Sequence, residues 1–257
     1  MYEHHIQVHN LPKDVDEAAP AGRTTIVIDV LRASTTICQA LASGAREVVP
    51  FPEIDGALAA VAAADRSEIV LGGERHGRRI DGFDLGNSPS EFTPQAVAGR
   101  RVFITTTNGT RALQHARLAS RVLIGAFVNL SAVVESVRQE PRINILCAGT
   151  DGRETREDLL AAGAIVSRLF ENPDHTWRMN EAAGRAQREW INVVDSAESA
   201  GRSISEQLAI EFQDAPGGRN LLDIGLAHDL VDCAQIDRLN LVPELNIPEW
   251  RITVPAR

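Results

Sequence analysis

The chain has 257 residues, 44% hydrophobic and 24% charged, with a formal net charge of −9 and a single lysine, Lys13. That length buries a real core and holds either one α/β domain over residues 1–257 or two closely packed lobes, about 1–172 and 173–257. Nucleic acid and membrane are excluded as expected partners: there is no basic field and no run near the ~20 apolar residues of a bilayer span.

The N-terminal stretch Met1–Asn10 carries three histidines and no apolar core of signal-peptide length. Ile6–His9 reads as a short strand and Leu11–Gly22 as a polar loop. Strand Thr24–Asp29 leads into a helix over Ala33–Ser43, closed by Gly44. Glu47–Phe51 is a strand, the alanine-rich Glu53–Asp65 a helix, and Glu68–Leu71 a strand. Gly72–Gly99 reads as a long loop rich in Gly, Pro, Asn and Asp, a length that inside a compact domain usually signals function or mobility. Strand Arg101–Thr106, helix Gly109–Arg117, strand Val122–Ala126, helix Leu130–Gln139 and strand Arg142–Cys147 continue the alternation. Helix Thr155–Phe170 presents a broad apolar face.

After Pro173 the pattern changes. Met179–Gln213 holds two helices without an intervening strand, and could supply a homodimer face or a mobile lid. Pro216–Asn220 reads as a turn, Asn220–Asp237 as helix-like with Gly225 inside, and Leu241–Leu245 and Arg251–Val254 as candidate edge strands. Together these predict an α/β fold, a three-layer α/β/α arrangement on a mostly parallel sheet with a helical C-terminal region.

Four predicted strands stop at polar clusters, and in a parallel sheet such ends share the edge where open α/β folds bind ligands. Asp29-Val30-Leu31-Arg32-Ala33-Ser34-Thr35-Thr36 places a carboxylate, a guanidinium and three hydroxyls at a helix start, a setting suited to phosphate; Asp29 could hold a metal or act as a nucleophile, while Ser34 or Thr35 could simply cap the helix. Thr105-Thr106-Thr107-Asn108-Gly109-Thr110-Arg111 repeats that layout, with Gly109 allowing close backbone approach. Asp151, Glu154, Glu157 and Asp158 crowd the end of the strand at Cys147 and the following helical turn. Carboxylates there suit the helix dipole, but four in eight residues exceed what capping needs, and hard oxygen ligands suit Mg²⁺ held together with substrate phosphate. The long loop brings Glu74, Arg75 and His76, and the C-terminal region brings Arg219.

Familiar signatures are missing. There is no phosphate loop or dinucleotide fingerprint, and no nucleophile elbow. Leu31 stands where aspartate-nucleophile phosphatases need a second aspartate. The three cysteines, Cys38, Cys147 and Cys233, show no disulfide or zinc spacing, which points to a reducing, cytoplasmic setting. Cys147 and Arg153 do share the Cys-x5-Arg spacing of cysteine-dependent phosphatases. The surrounding carboxylates would raise that thiol pKa and repel phosphate.

Taken together, Val27–Thr36, Gly72–Arg75, Gly86-Asn87-Ser88-Pro89, Thr105–Thr110, Cys147–Gly152 and Glu157–Gly163 resemble the 2-phosphosulfolactate phosphatases, over about residues 24–243. The resemblance implies Mg²⁺-dependent hydrolysis of 2-phosphosulfolactate to sulfolactate and phosphate, a step of coenzyme M biosynthesis. On that reading the catalytic residues are Asp29, Arg32 and Glu74. The small anionic phosphate ester meets Ser34, Thr35, Thr36, Arg75, Thr107, Asn108, Gly109, Thr110 and Arg219, and Mg²⁺ takes ligands from Asp29, Asp151, Glu157 and Asp158. Two alternatives stand beside it: a cysteine-dependent phosphatase using Cys147 and Arg153, and a non-catalytic binder of an anionic metabolite.

Overall fold

The computed structural model describes residues 3–171 and 175–255. β-Branched and aliphatic runs form most of the strands, and the expected strands follow in the expected order. The strands are β1 (Glu3–His9), β2 (Thr24–Ile28), β3 (Glu47–Pro50), β4 (Ile69–Arg75), β5 (Arg78–Arg79), β6 (Arg101–Thr105), β7 (Arg121–Gly125), β8 (Arg142–Cys147), β9 (Thr176–Met179), β10 (Glu244–Asn246) and β11 (Arg251–Thr253); β5 and β9 are additional to those expected. The helices are α1 (Ala33–Ala42), α2 (Ile54–Ala62), α3 (Pro94–Val97), α4 (Gly109–His115), α5 (Leu130–Val137), α6 (Arg156–Phe170), α7 (Glu181–Ser199), α8 (Ile204–Asp214), α9 (Pro216–Asp223) and α10 (Ala227–Cys233).

The strands form one sheet in the order β5-β4-β6-β3-β11-β10-β7-β2-β8-β1-β9. Two parallel blocks, β7-β2-β8-β1-β9 and β3-β6-β4, are joined through the antiparallel hairpin β10–β11. The hairpin corrects the expectation of edge strands. Both strands lie inside the sheet, with Leu245 and Ile252 buried between the blocks. Strand β9, which pairs with β1, was not anticipated.

Strand alternation sends side chains to two faces. Val27, Ile124 and Leu146 from one block share a core with Val48, Val102 and Ile104 from the other, and Ile37, Leu41, Ala112 and Leu113 of α1 and α4 fill it. Ile26, Ile28, Leu123 and Ile145 face a second core closed by α5, α6 and α7. Ile69, Leu71 and Phe103 face a third, with Ala57 of α2. Helices thus cover both faces, as the α/β/α reading expected. Among the described residues no helix is long and apolar enough to cross a membrane. The stretch expected to offer a lid or dimer face buries Ala183, Ala186, Trp190 and Val193 in the α6 core.

Two boundaries moved in ways that matter for the site. Strand β4 does not stop at Leu71; it continues through Gly72-Gly73 to Arg75. A Cβ on Gly72 would stand 2.9 Å from Phe92, and one on Gly73 would stand 2.3 Å from the Thr105 carbonyl, so only glycine lets the strand run on there. The predicted turn at residues 216–220 is instead the start of α9, with Pro216 at its first helical positions.

Candidate active site

A pocket of about 230 Å³ opens where β2, β4 and β6 end and α9 approaches, bordered by Asp29, Arg32, Glu74, Asn87, Thr106–Asn108, Thr150, Asp151, Gly217 and Asn220. Its volume lies below the ~300–1,000 Å³ of pockets that take drug-sized ligands, so it suits a small metabolite. A larger groove of about 700 Å³ near Arg121, Arg138 and Leu241 contains none of the residues singled out from the sequence.

Asp29 follows β2 directly and folds back over α1. Its Oδ1 accepts the Ala33 N–H at 3.3 Å, and its backbone carbonyl accepts the Ser34 N–H at 2.8 Å. The opening amides of α1 are therefore met by Asp29. The hydroxyls expected to bind substrate are also engaged locally. Ser34 Oγ accepts the Asp29 N–H, Thr35 Oγ1 donates to the Val30 carbonyl, and Thr36 Oγ1 donates to the Asn87 carbonyl. None of the three borders the pocket. Gly109 permits the close approach of α4: a Cβ there would lie 2.6 Å from Ala33 Cβ and 2.8 Å from Asp29 Oδ2. Thr110 donates its hydroxyl back to the Thr106 carbonyl.

Arg32 is buried and held at both ends of its guanidinium. Nη1 donates to Asp229 at 2.6 Å and Nη2 to the Gly77 carbonyl at 2.7 Å. Ser88 donates to the other Asp229 oxygen at 2.5 Å. Glu74, near the end of β4, ties two loops: Oε1 accepts the Thr107 N–H and hydroxyl at 2.8 and 2.9 Å, and Oε2 accepts the Gly77 N–H at 2.7 Å. Asn108 Oδ1 accepts the Asp151 N–H at 3.3 Å.

The acidic residues divide. Asp158 is buried behind the pocket, where Oδ1 accepts the Val30 N–H and Oδ2 the Gly149 N–H. It staples the ends of β2 and β8 and does not border the pocket. Glu157 is buried beside α9. Its Oε1 lies 3.3 Å from the position of a Cβ on Gly217, and its Oε2 has no partner. Burial, and then the Asp158 charge, push the Glu157 pKa up; burial does the same to Asp158 against its amide bonds. Asp29 is pushed well above the carboxylate range by burial and then by Asp158, with Glu74 and Glu157 adding to it and the Ala33 amide opposing. Asp151, exposed, borders the pocket.

The two remaining arginines bind elsewhere. Arg75 donates to the Glu74 carbonyl and the Thr105 hydroxyl, and exposed Arg219 to the Asp214 carbonyl at 2.9 Å. Asn220, the next residue, borders the pocket and donates to the His76 carbonyl. Gly217, Asn220 and Leu221 share a face of α9, a phasing that Pro216 at a helix start would have revealed. Cys147 is buried in the core, its thiol pushed up first by burial and then by Asp158, Glu154 and Glu157, and exposed Arg153 does not join it at the pocket.

Among the described residues no three His, Cys, Asp or Glu side chains form a ready-made metal cluster. The charge balance nevertheless fits a hard cation. Asp29 sits among Asp158, Glu74 and Glu157, and the pocket's buried cation, Arg32, is already paired with Asp229. Asp29 and Glu74 reach the pocket, and substrate oxygens can complete a Mg²⁺ shell that protein carboxylates only begin.

Comparison with known proteins defines the class first. Relatives along most of the chain carry the name of a phosphoric monoester hydrolase, "Probable 2-phosphosulfolactate phosphatase". That from Symbiobacterium thermophilum is 40% identical over 224 residues, covering 87% of this chain and 91% of its own. Those from Gloeobacter violaceus and Caldanaerobacter subterraneus subsp. tengcongensis are 35% and 32% identical, each covering 93% of this chain and 94% and 95% of their own. The 2-phosphosulpholactate phosphatase family model matches residues 9–247, and the chain belongs to that family.

Proposed function

We propose that the protein hydrolyses 2-phosphosulfolactate to sulfolactate and phosphate in a Mg²⁺-dependent reaction. The observation that carries this reading is the convergence of Asp29, Arg32 and Glu74, 45 positions apart in sequence at the extremes, on one small pocket in a member of this family. Water attacks phosphorus, the bond from phosphorus to the substrate's C2 oxygen breaks, and that oxygen leaves with a proton as the sulfolactate hydroxyl. Arg32, oriented by Asp229 and Gly77, holds phosphoryl oxygens as charge moves onto the leaving group. Glu74 accepts three donors and serves as the clamp that fixes Thr107 and Gly77 around the phosphate. Among the described residues the Asp29 side chain accepts through Oδ1, from the Ala33 N–H, and Oδ2 takes no donor, which suits it to a metal ion or to the attacking water. Asp29 and Glu74, with Asp151 at the rim, are the residues that would hold Mg²⁺, which would supply neutralisation of phosphoryl charge. His76, Asn108 and Asn220 give the polar walls that face the sulfonate and carboxylate.

Three buried, free thiols support a reducing, cytoplasmic setting. The test is phosphate release from a panel of small phosphate esters. The expected result is a higher kcat/KM for 2-phosphosulfolactate than for phospholactate, which lacks the sulfonate. If no ester is turned over while 2-phosphosulfolactate still binds, the protein is a binder and the reading fails.

A further inference from the structure

Where β1, β2, β8 and the end of α4 meet under the β1–β2 loop, away from the active site, six buried side-chain atoms have no hydrogen-bond partner among the described residues: His9 Nε2, Asn10 Oδ1, Arg23 Nη1, Thr25 Oγ1, His115 Nε2 and Asn144 Oδ1. They belong to one neighbourhood. Thr25 and Asn144 are paired across β2 and β8, and so point to the same face. His9 lies against Asn144 and within electrostatic range of Arg23 and His115, and Asn10 follows it in the chain. Asn144 Nδ2 is already bonded to the Ala19 carbonyl of the overlying loop, which fixes its oxygen toward the cluster.

Donors outnumber acceptors in the group: the two amide oxygens are those of Asn10 and Asn144, and Asn144 faces the His9 ring. Four of the atoms belong to donor-bearing groups, three of which can carry positive charge, and no Asp or Glu is among the six residues. Among the described residues Arg23, His9 and His115 enter no ion pair, although the surface is rich in carboxylates. A buried donor without a partner costs about 1–3 kcal/mol, and more when charged. Burial lowers the His9 pKa, Asn144 opposes that, and the charges of Arg23 and His115 lower it further, as crowded cations without a counter-ion would.

We propose that this cluster is a second anion site, taking a small tetrahedral oxyanion of the inorganic phosphate type. The site is distinct from the active site. The helix α4 runs from Gly109, beside Asp29, to His115, and its seven residues span ~10 Å. The inference does not depend on the identity of the substrate.

The experiment uses the whole protein and inorganic phosphate, with chloride at equal ionic strength as the control. Histidine-ring NMR follows His9 and His115, and equilibrium dialysis counts bound phosphate. The expected result is a saturable shift of both rings with phosphate and a raised His9 pKa. Arg23→Gln weakens one of the wild type's two phosphates by about 10- to 100-fold, the loss of one charge-assisted hydrogen bond, and leaves turnover unchanged. Rings that do not respond to phosphate, or identical binding by both proteins, would mean that ordered water alone fills the cluster and would overturn the proposal. Should Arg23→Gln not fold, the wild-type ring titration decides by itself.

Discussion

The bond between Arg32 and Asp229 joins the first strand-end loop to α10 across 197 positions of sequence, and both side chains are almost completely buried, 2% and 0% exposed. Asp229→Asn removes the charge and keeps the shape, leaving a buried guanidinium without its counter-ion. Removing one partner of such a pair costs about 3–5 kcal/mol. Asparagine retains one acceptor oxygen, so the low end, about 3 kcal/mol, is expected. A domain of this size loses ~2–4 °C per kcal/mol, so Tm falls by ~6–12 °C. The control is Glu68→Gln, which breaks the 3.0 Å Arg46–Glu68 pair at half-exposed positions and costs about 0–1 kcal/mol. Urea denaturation measures both, with an unchanged m-value required for the comparison. In the same variant a loosened Arg32 lowers kcat/KM by about 10²-fold. If Asp229→Asn proves no less stable than Glu68→Gln, the pair is not the structural link described above.

Three further predictions follow from single contacts. Gly109→Ala drives a methyl group into Ala33 and Asp29, so it lowers both stability, by about 1–3 kcal/mol, and phosphate release. Cys147→Ala leaves phosphatase turnover within a few-fold of wild type, because the thiol is in the core and away from the pocket; loss of activity in a folded Cys147→Ala protein would favour cysteine chemistry. Asp237, although partly buried, has its pKa held below the ordinary value by the Ser131 hydroxyl and amide and by Arg168. Its contribution to stability is present above the unfolded-state pKa and is lost as pH falls through the folded one. The urea midpoint of wild type therefore drops more steeply in acid than that of Asp237→Asn.

Much of the sheet was legible because β-branched runs such as Thr24–Ile28 and Arg142–Cys147 end abruptly at polar residues, and alternation with amphipathic helices implies parallel pairing. Asp29, Arg32 and Glu74 were legible for the same reason: each stands at or just beyond a strand end. The departures share a cause, which is that local sequence does not reveal tertiary partners. Gly72-Gly73 reads as a break because glycine weakens strands, yet here it admits Phe92 and the Thr105 carbonyl. Three-residue strands flanked by Pro243 and Pro248 read as edges, yet they fill the gap between β7 and β3. A hydroxyl that bonds nearby backbone looks the same in sequence as one aimed at a ligand, so sequence alone does not set Ser34, Thr35 and Thr36 apart from pocket-lining hydroxyls. Arg219 drew notice by its charge, whereas helical phase brings Asn220 to the pocket. Asp229 carries no local motif at all.

Buried carboxylates Asp29 and Glu74 border the pocket, and its Arg32 is already paired with Asp229. The most direct measurement is phosphate release from 2-phosphosulfolactate by metal-free protein, before and after Mg²⁺ is returned, in wild type and Asp29→Asn. Wild type is predicted to be inactive without Mg²⁺ and restored by it, and Asp29→Asn to stay about 10³-fold or more below wild type in its presence. Full turnover in excess chelator, or by Asp29→Asn, would contradict the account.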